Sequence, residues 1–369
     1  MKYNFKLGIY LALASFLGLQ SDLSSKECVF ESAPRVLLPP KESDNDWYFT
    51  AGYLLEQVRL TGTQYAYRKN GNAIGATALP AVGTILEPSF SLTSGLTAGF
   101  AYYFCNKNWT FKSRFDWIQS TGKGSQAIGY NDNIIPINIW RDQLFAPVDA
   151  DLGVAGRGIS KFTVSYYNVN FDLHRELYID ENFSLMPHVG LKLSFIYDKA
   201  VTKFTGNGFD TAFSPTTHLN TATLKRRETS DFWGIGPSFG VDTNWRLFSD
   251  VSFFFEGGVA LLLGTAKDTD SVSCTAFASS STASSSPSSP VFSPAAQSLI
   301  GFKYERMIYC DTQKVIGKIG WDSSIYWNQW NHINTKSEGT FNSSLDTFQL
   351  QQGDMFGLTG LLISLTWNF

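Results

Sequence analysis

The chain has 369 residues, of which 17% are charged and 15% are aromatic. This length suits two ordinary domains or one large β architecture, and the charged fraction lies below the usual quarter. The net charge is −3, with 29 basic and 32 acidic residues spread along the chain, so we expect no face basic enough to neutralise a run of phosphates, and we exclude nucleic acid as a partner.

The N-terminus has the pattern of an export signal. Lys2 and Lys6 precede an apolar run at 7–19, which is too short to span a bilayer as a helix and suits the apolar region of a signal peptide. We expect residues 1–21 to be removed on export and residues 22–46 to form a periplasmic segment. The alternative is a buried N-terminal helix of a cytosolic protein.

Ten segments of the mature chain alternate apolar and polar residues with the period of a β-strand. Most are long enough to cross a bilayer at a tilt of about 45°. In 250–264 the alternation has two exceptions, because Phe254 and Leu262 break the polar face. No later stretch has 18 consecutive apolar residues, so a membrane form must cross as strands. The ten cores are 47–60, 89–104, 109–120, 161–175, 183–199, 229–243, 250–264, 295–309, 314–329 and 354–369.

The links between these segments alternate in length. Short links follow the second, fourth, sixth and eighth segments, and much longer links follow the others. Short turns at one rim and long loops at the other, with an even strand count, predict an antiparallel transmembrane β-barrel over 47–369. The count is ten, or twelve if 64–72 or 339–350 supplies an extra hairpin strand. The Ser/Pro-rich stretch at 266–294 is predicted to be a mobile surface loop.

The stretch FWGIGPSFGVDTNWRLFSDVSFFFEGGVALLLG, residues 232–264, combines a G-x-G-P-x-x-G strand, a Trp at the turn and a strand that ends in L-L-x-G. This hairpin resembles the signature of the Legionella-type major outer membrane protein family, pore-forming proteins that also occur in chlamydiae and their relatives. Family members often carry a basic residue after the Pro, where this chain has Ser238. The matching residues are Gly234, Gly236, Pro237, Gly240, Trp245, Leu262, Leu263 and Gly264.

Weaker blocks similar to the family extend the resemblance over most of 90–369. The resemblance implies a β-barrel of the bacterial outer membrane that admits small hydrophilic solutes. It implies no catalytic residues.

The polar faces of the strands supply candidate pore-lining residues of both signs. Mixed signs predict a weakly selective pore that slightly favours cations. Alternatively, the charges pair across the lumen and plug it, because ten strands lie close to the eight-stranded barrels that side chains fill. Small inward residues over 89–99 argue for some opening. The candidates are Glu56, Lys112, Arg114, Asp116, Asp172, His188, Lys192, Asp198, Glu256, Lys303, Glu305, Lys318 and Asp322.

The four histidines form no recognisable metal or catalytic motif. His174 and His188 fall on the polar faces of one predicted hairpin near Asp172, where a wet pore already satisfies an imidazole. His218 and His332 belong to the opposite rim. With no H-E-x-x-H and no nucleotide loop, the sequence predicts no enzyme, no cofactor and no metal site.

Three cysteines are disulfide candidates on the periplasmic side: Cys28, Cys105 and Cys310, whereas Cys274 falls in an external loop. The strands before Cys105 and Cys310 lie four steps apart in a ten-stranded ring, roughly 19 Å at about 4.8 Å per strand. A disulfide needs Cα atoms within about 7 Å, so a direct bond is disfavoured. If Cys28 reaches one of them, a thiol is left for a crosslink to another envelope protein or a second copy.

The chain ends in an alternating stretch, LTGLLISLTWNF at 358–369. Odd positions are predicted to face lipid, which places Trp367 and Phe369 at the periplasmic interface. The terminal aromatic also resembles the signal that the outer-membrane assembly machinery reads. This final strand is expected to pair with the first, at 47–60, and thereby remove the open edges of the sheet.

We therefore expect a porin-like protein, embedded in outer-membrane lipid, that lets small hydrophilic solutes diffuse passively. One alternative is a closed-barrel surface adhesin or structural envelope protein that acts through its long loops. A second alternative is a barrel hydrolase at the loop rim, for example with His218 beside Asp210.

Overall fold

The structure is a computed structural model that describes 47–70, 83–104, 109–127, 132–136, 157–206, 222–248, 250–276, 279–285, 288–308, 313–337 and 346–368. Over these ranges the chain forms β-strands and no helix, so none there is long and apolar enough to cross a membrane. The strands are β1 (Trp47–Leu60), β2 (Ala66–Asn70), β3 (Gly83–Leu86), β4 (Leu92–Phe104), β5 (Trp109–Ala127), β6 (Asp132–Pro136), β7 (Arg157–Arg175), β8 (Leu177–Tyr178), β9 (Phe183–Gly206), β10 (Ala222–Arg246), β11 (Val251–Ala276), β12 (Ser279–Ser285), β13 (Ser288–Ile308), β14 (Gln313–Ser337) and β15 (Asp346–Asn368).

Ten of the described strands form a closed antiparallel barrel. Its order around the ring is β1, β4, β5, β7, β9, β10, β11, β13, β14, β15 and back to β1. The closing pair sets Phe49 opposite Trp367, so the last strand does seal the sheet. The predicted ten-stranded barrel is confirmed. The stretch 64–72 adds no barrel strand, because β2 pairs with β3 and β6 in a separate three-stranded sheet.

The Ser/Pro-rich stretch differs from the loop predicted at 266–294. Strand β11 continues through its first part, β12 pairs with β11, and β13 begins before the stretch ends. Backbone hydrogen bonds join these strands, and they need no apolar side chains. A hairpin that is anchored in the barrel therefore extends its pairing into serine-rich sequence.

The outer face of the barrel carries a belt of exposed apolar side chains, including Leu191, Phe239 and Leu263. On β10 the belt ends in tryptophans, Trp245 near the short turn and Trp233 twelve positions earlier. An apolar band between aromatic girdles is typical of a barrel in lipid. Strand β15 follows the predicted alternation, since its odd residues from Ile363 to Trp367 are exposed and its even ones are buried.

The core of the molecule lies inside the barrel. A set of large buried side chains, here called the apolar layer, fills the lumen on the long-loop side of its middle. Tyr166 on β7 and Tyr326 on β14 come from opposite walls, yet their hydroxyl oxygens lie 2.6 Å apart. Both rings also pack on Phe356. The apolar layer comprises Leu54, Ile118, Val164, Tyr166, Ile196, Phe232, Leu262, Tyr326, Phe356 and Leu358.

Candidate functional site

A polar cavity of about 350 Å³ lies between the apolar layer and the short-turn rim. This cavity, here called the vestibule, is lined by residues of all ten barrel strands. Small inward residues such as Thr97, Gly99 and Gly258 leave its space open. Elsewhere on β4 the space is taken: a Cβ added at Gly95 would lie 2.4 Å from Ile118 Cγ1. The small residues predicted to open one wall therefore do so only in the periplasmic half.

The structure places all thirteen predicted pore-lining residues on the inner face of the barrel. Along their strands, Asp116 and Asp322 are buried between the vestibule and the apolar layer, Glu56 is buried two residues beyond Leu54 of that layer, and Asp198 is buried beyond the layer. All thirteen therefore face inward, and their role as pore-lining residues stays a prediction. The nine that line the vestibule are Lys112, Arg114, Asp172, His188, Lys192, Glu256, Lys303, Glu305 and Lys318.

Several charges pair across the lumen. The Arg114 guanidinium on β5 donates to Asp116 on its own strand at 2.8 Å and to Asp322 on β14 at 2.6 Å. Lys318 on β14 donates to Glu256 on β11 at 2.5 Å. The structure therefore combines the two interpretations of the sequence, because the charges pair as in a plugged barrel and the vestibule stays unfilled.

Lys192 contacts the vestibule side of the apolar layer rather than a carboxylate. Its Nζ donates to Gln297 Oε1 at 3.1 Å and lies 5.2 Å from the centre of the Tyr326 ring. Among the described residues it forms no ion pair.

Nearer the rim, the Glu305 carboxylate accepts a hydrogen bond from Lys303 at 2.5 Å and lies 3.3 Å from Lys314.

Two histidines meet on one wall of the vestibule. His174 and His188 stack with ring centres 4.5 Å apart. Asp172 Oδ1 lies 3.7 Å from His188 Nδ1, and Asp242 Oδ2 lies 3.2 Å from His174 Nδ1. Asp242 also accepts from Lys112 at 3.2 Å. The sequence predicted solvated histidines, whereas the structure buries His174, leaves about a tenth of the His188 side chain exposed, and brings both into one cluster.

Asp242 is the member of this cluster that the sequence reasoning missed. It falls on the inward side of β10, two residues beyond Gly240, and the same alternation that identified the other lumen residues would have included it. Its pairing with Met186 of β9 places it beside His188. That contact depends on strand register, which alternation alone does not give.

Several predicted residues lie outside the described part of the chain. Among the disulfide candidates, Cys28, Cys105 and Cys310 are in this group, so the crosslink stays a prediction. Phe369 is also outside it. Trp367 lies at the end of β15 with its ring half exposed, where the interface was predicted.

The chain is similar to several solved outer-membrane structures. The outer membrane protease OmpT of Escherichia coli is 8% identical, with 88% of this chain and 97% of that chain covered and a TM-score of 0.41. Ail, the attachment invasion locus protein of Yersinia pestis, is 10% identical over 67% of this chain and 97% of that one, with a TM-score of 0.20. A Pseudomonas aeruginosa FadL homologue is 10% identical over 88% and 89%, with a TM-score of 0.27. Likenesses this distant carry no argument about activity.

The comparison with protein families is more specific. No curated protein matches the chain. The family model of the Legionella pneumophila major outer membrane protein precursor matches residues 39–369, nearly the whole chain. The chain therefore belongs to this family, as a β-barrel protein of the bacterial outer membrane.

Proposed function

We propose that the protein is a narrow outer-membrane channel for the passive diffusion of small hydrophilic solutes, gated at the apolar layer. The vestibule is the observation that supports this function, because it is a charged, unfilled cavity that reaches the short-turn rim. A barrel that served only as an anchor would gain packing contacts if side chains filled this volume. Buried charges that are poorly solvated also lower stability.

The lumen becomes polar again beyond the apolar layer. Asp198, Ser230 and Asp268 are buried on the inner face there, and Arg226 donates to Asp270 at 2.9 Å. Two polar chambers are thus separated by an apolar constriction, an arrangement that gates channels by excluding water from the narrow part. Passage would require the Tyr166 and Tyr326 side chains to separate.

The vestibule walls favour weak charge selectivity. Six lysine or arginine side chains and five carboxylates line the cavity. Rings of a single sign confer strong selectivity, and near balance does not. We assign no chemical reaction to the barrel, and no cofactor is part of this proposal.

Planar-bilayer recording of refolded protein tests the channel. We expect small, intermittent conductance from the wild type, since the constriction opens only when its aromatic side chains move. The double variant Tyr166→Ala/Phe356→Ala removes two rings of the apolar layer and should raise open time or conductance several-fold. The matched control is Leu263→Ala on the lipid-facing surface, which should record like the wild type. Silence from both the wild type and the double variant, in folded protein, would reject the channel.

A sealed structural barrel is the second candidate, and the apolar layer that crosses the lumen favours it. The same recordings separate the two functions: a silent wild type with a conducting double variant identifies a sealed barrel. The adhesin and hydrolase hypotheses place their sites in the long loops, much of which lies outside the described residues. They therefore gain no support from the geometry.

A further inference from the structure

We propose that Asp172, His174 and His188 bind a divalent transition-metal ion of the zinc class on the vestibule wall. The candidate ligand atoms of these three residues lie within 4.8 Å of one another. Two imidazoles and a carboxylate are a ligand set that suits Zn²⁺ and its neighbours. This site is additional to the channel function and does not depend on it.

Strand pairing assembles the ligand set from one hairpin. Asp172 and His174 are two apart on β7, so their side chains share the inner face. His188 on β9 is the direct partner of His174 in the register. Because the three backbone positions are fixed by β-pairing, binding has only side-chain freedom to restrict.

Neighbouring glycines make room for the ligands. A Cβ added at Gly240 would lie 2.3 Å from His188 Nε2, and one added at Gly190 would lie 2.3 Å from Asp172 Oδ1. At each position the added Cβ would also crowd a backbone carbonyl oxygen of the neighbouring strand, that of Gly257 or of Phe171. The two glycines thus leave room both for the strand backbone and for the ligand side chains.

Two of the histidine nitrogens lack a well-formed hydrogen bond to the described residues. His174 Nε2 is buried without a partner, whereas its Nδ1 faces Asp242 Oδ2 at 3.2 Å. His188 Nδ1 is buried 3.7 Å from Asp172 Oδ1, which is too far for a hydrogen bond. Buried polar atoms without partners are destabilising, and a bound metal ion would satisfy them.

The surrounding charges and hydrogen bonds suit a cation. Ser238 Oγ donates to Asp172 Oδ1 at 2.8 Å, which orients that carboxylate as an outer-shell partner does in metal sites. Lys112 Nζ lies 3.2 Å from Asp242 Oδ2, so its ion pair is with a carboxylate outside the proposed ligand set. Zinc bonds of about 2.0–2.2 Å place ligand atoms roughly 3.3 Å apart, so side-chain rotation of an ångström or so completes the site.

Metal binding is tested on metal-free protein folded in detergent, by calorimetric titration with Zn²⁺ and by the visible absorption of Co²⁺. We expect one saturable equivalent per chain and a Co²⁺ spectrum with imidazole ligands. The double variant His174→Ala/His188→Ala should lower the affinity by at least about 100-fold. His332→Ala, which changes a histidine distant in the barrel, should bind like the wild type.

Folding of each variant is checked by its heat-modifiable migration on gels, so that lost binding is not confused with lost structure. Asp172→Asn supplies an independent variant that keeps both histidines, and it should weaken binding because a neutral amide is a poorer ligand than a carboxylate. The proposal is overturned if the folded wild type shows no saturable binding. It is equally overturned if the double variant retains the wild-type affinity. Neither result bears on conductance.

A second, independent observation concerns the outer surface. We propose that five exposed cations, here called the basic patch, bind the phosphate groups of outer-leaflet glycolipids. In the register, Val201 on β9 has Lys161 of β7 on one side and Arg227 of β10 on the other. The patch is Lys161, Lys199, Lys203, Lys225 and Arg227.

The basic patch lies at the height of lipid headgroups. On β9 it begins two residues beyond Tyr197, which follows the apolar belt toward the long-loop rim. Aromatic residues of this kind mark the interface between hydrocarbon and headgroups. Lys203 and Lys225 are direct partners across two strands, and like charges placed opposite each other destabilise a sheet unless an anion lies between them.

Within the described ranges, none of the five side chains forms an ion pair. The adjacent outward acid, Asp231, faces Lys267 instead. Phosphate esters are the anions expected at this depth, and they accept several charge-assisted hydrogen bonds from lysine and arginine. The sequence missed this patch because its five cations lie on three strands, β7, β9 and β10, which only the barrel brings together.

The basic patch is tested with folded protein and phosphatidylcholine vesicles that contain or lack lipid A. We measure the amount of lipid A that stays bound to the protein, called its retention, and we expect retention to fall as the salt concentration rises. Lys199→Gln/Lys203→Gln/Arg227→Gln should reduce retention at least several-fold, and Arg59→Gln, an exposed cation on β1, should not. Equal retention by the triple variant overturns the proposal. Competition by inorganic phosphate at equal phosphate concentration would also overturn it, since that outcome identifies a free-anion site.

Discussion

At the scale of single residues, Arg114 links two walls of the barrel near the middle of the lumen. Its guanidinium joins Asp116 on its own strand to Asp322 on β14. One cation therefore offsets carboxylates from two strands. Paired buried charges add little net stability, but loss of one partner leaves the others uncompensated.

Arg114→Ala should destabilise the barrel by about 3–5 kcal/mol, because Asp116 and Asp322 would keep their charge in a buried site without a cation. Urea unfolding in lipid vesicles measures this loss. Lys318→Ala is the matched control, since Lys318 and its partner Glu256 are each about a quarter exposed and water can solvate the carboxylate that remains. Equal losses in the two variants would contradict the proposed role of Arg114.

At the scale of elements, the seam between β1 and β15 decides whether the barrel closes. The two strands pair from Tyr48 with Asn368 up to Leu60 with Phe356. Asn368 Nδ2 also donates to the Trp47 carbonyl at 3.2 Å. The seam was predictable from the sequence, because alternation and the aromatic terminus mark a strand that must find a partner.

Deletion of Phe369 should lower the amount of protein in the outer membrane while leaving refolding in detergent nearly unchanged. The seam pairs fully through Asn368 without it, and the terminal aromatic resembles a signal for the assembly machinery. Surface labelling of cells and heat-modifiability of refolded protein measure the two effects. Leu365→Ala, a lipid-facing change on the same strand, serves as control. Undiminished surface labelling of the deletion would refute the signal.

At the scale of the whole molecule, alternation predicted which residues face inward but not which of them meet. Whether a side chain points into the lumen is a local property of its strand. Whether Arg114 meets Asp322 depends instead on the register of all the strand pairs around the barrel. The apolar layer had a weak signal in the sequence, since Phe254 and Leu262 broke an otherwise polar face. Those exceptions were the inner core of the barrel, and Leu262 lies in the layer itself.

The histidine cluster could not be predicted from the sequence for a different reason. His174 and His188 were assigned to one hairpin, but their stacking follows from a direct register pair and from the space beside Gly240. Register depends on the long strand pairs, and glycine roles depend on what lies across from them. Sequence spacing alone therefore could not separate a solvated histidine from a metal ligand.

The position of the apolar layer makes the two faces of the membrane unequal. A solute from the cell side enters a charged basin of about 350 Å³, whereas one from outside meets the buried charges of Asp198, Asp268 and Arg226. In the proposed channel, solutes from both sides must then leave water at the same apolar layer. The layer therefore sets the rate of passage in both directions, while the charges on each side set which solutes reach it.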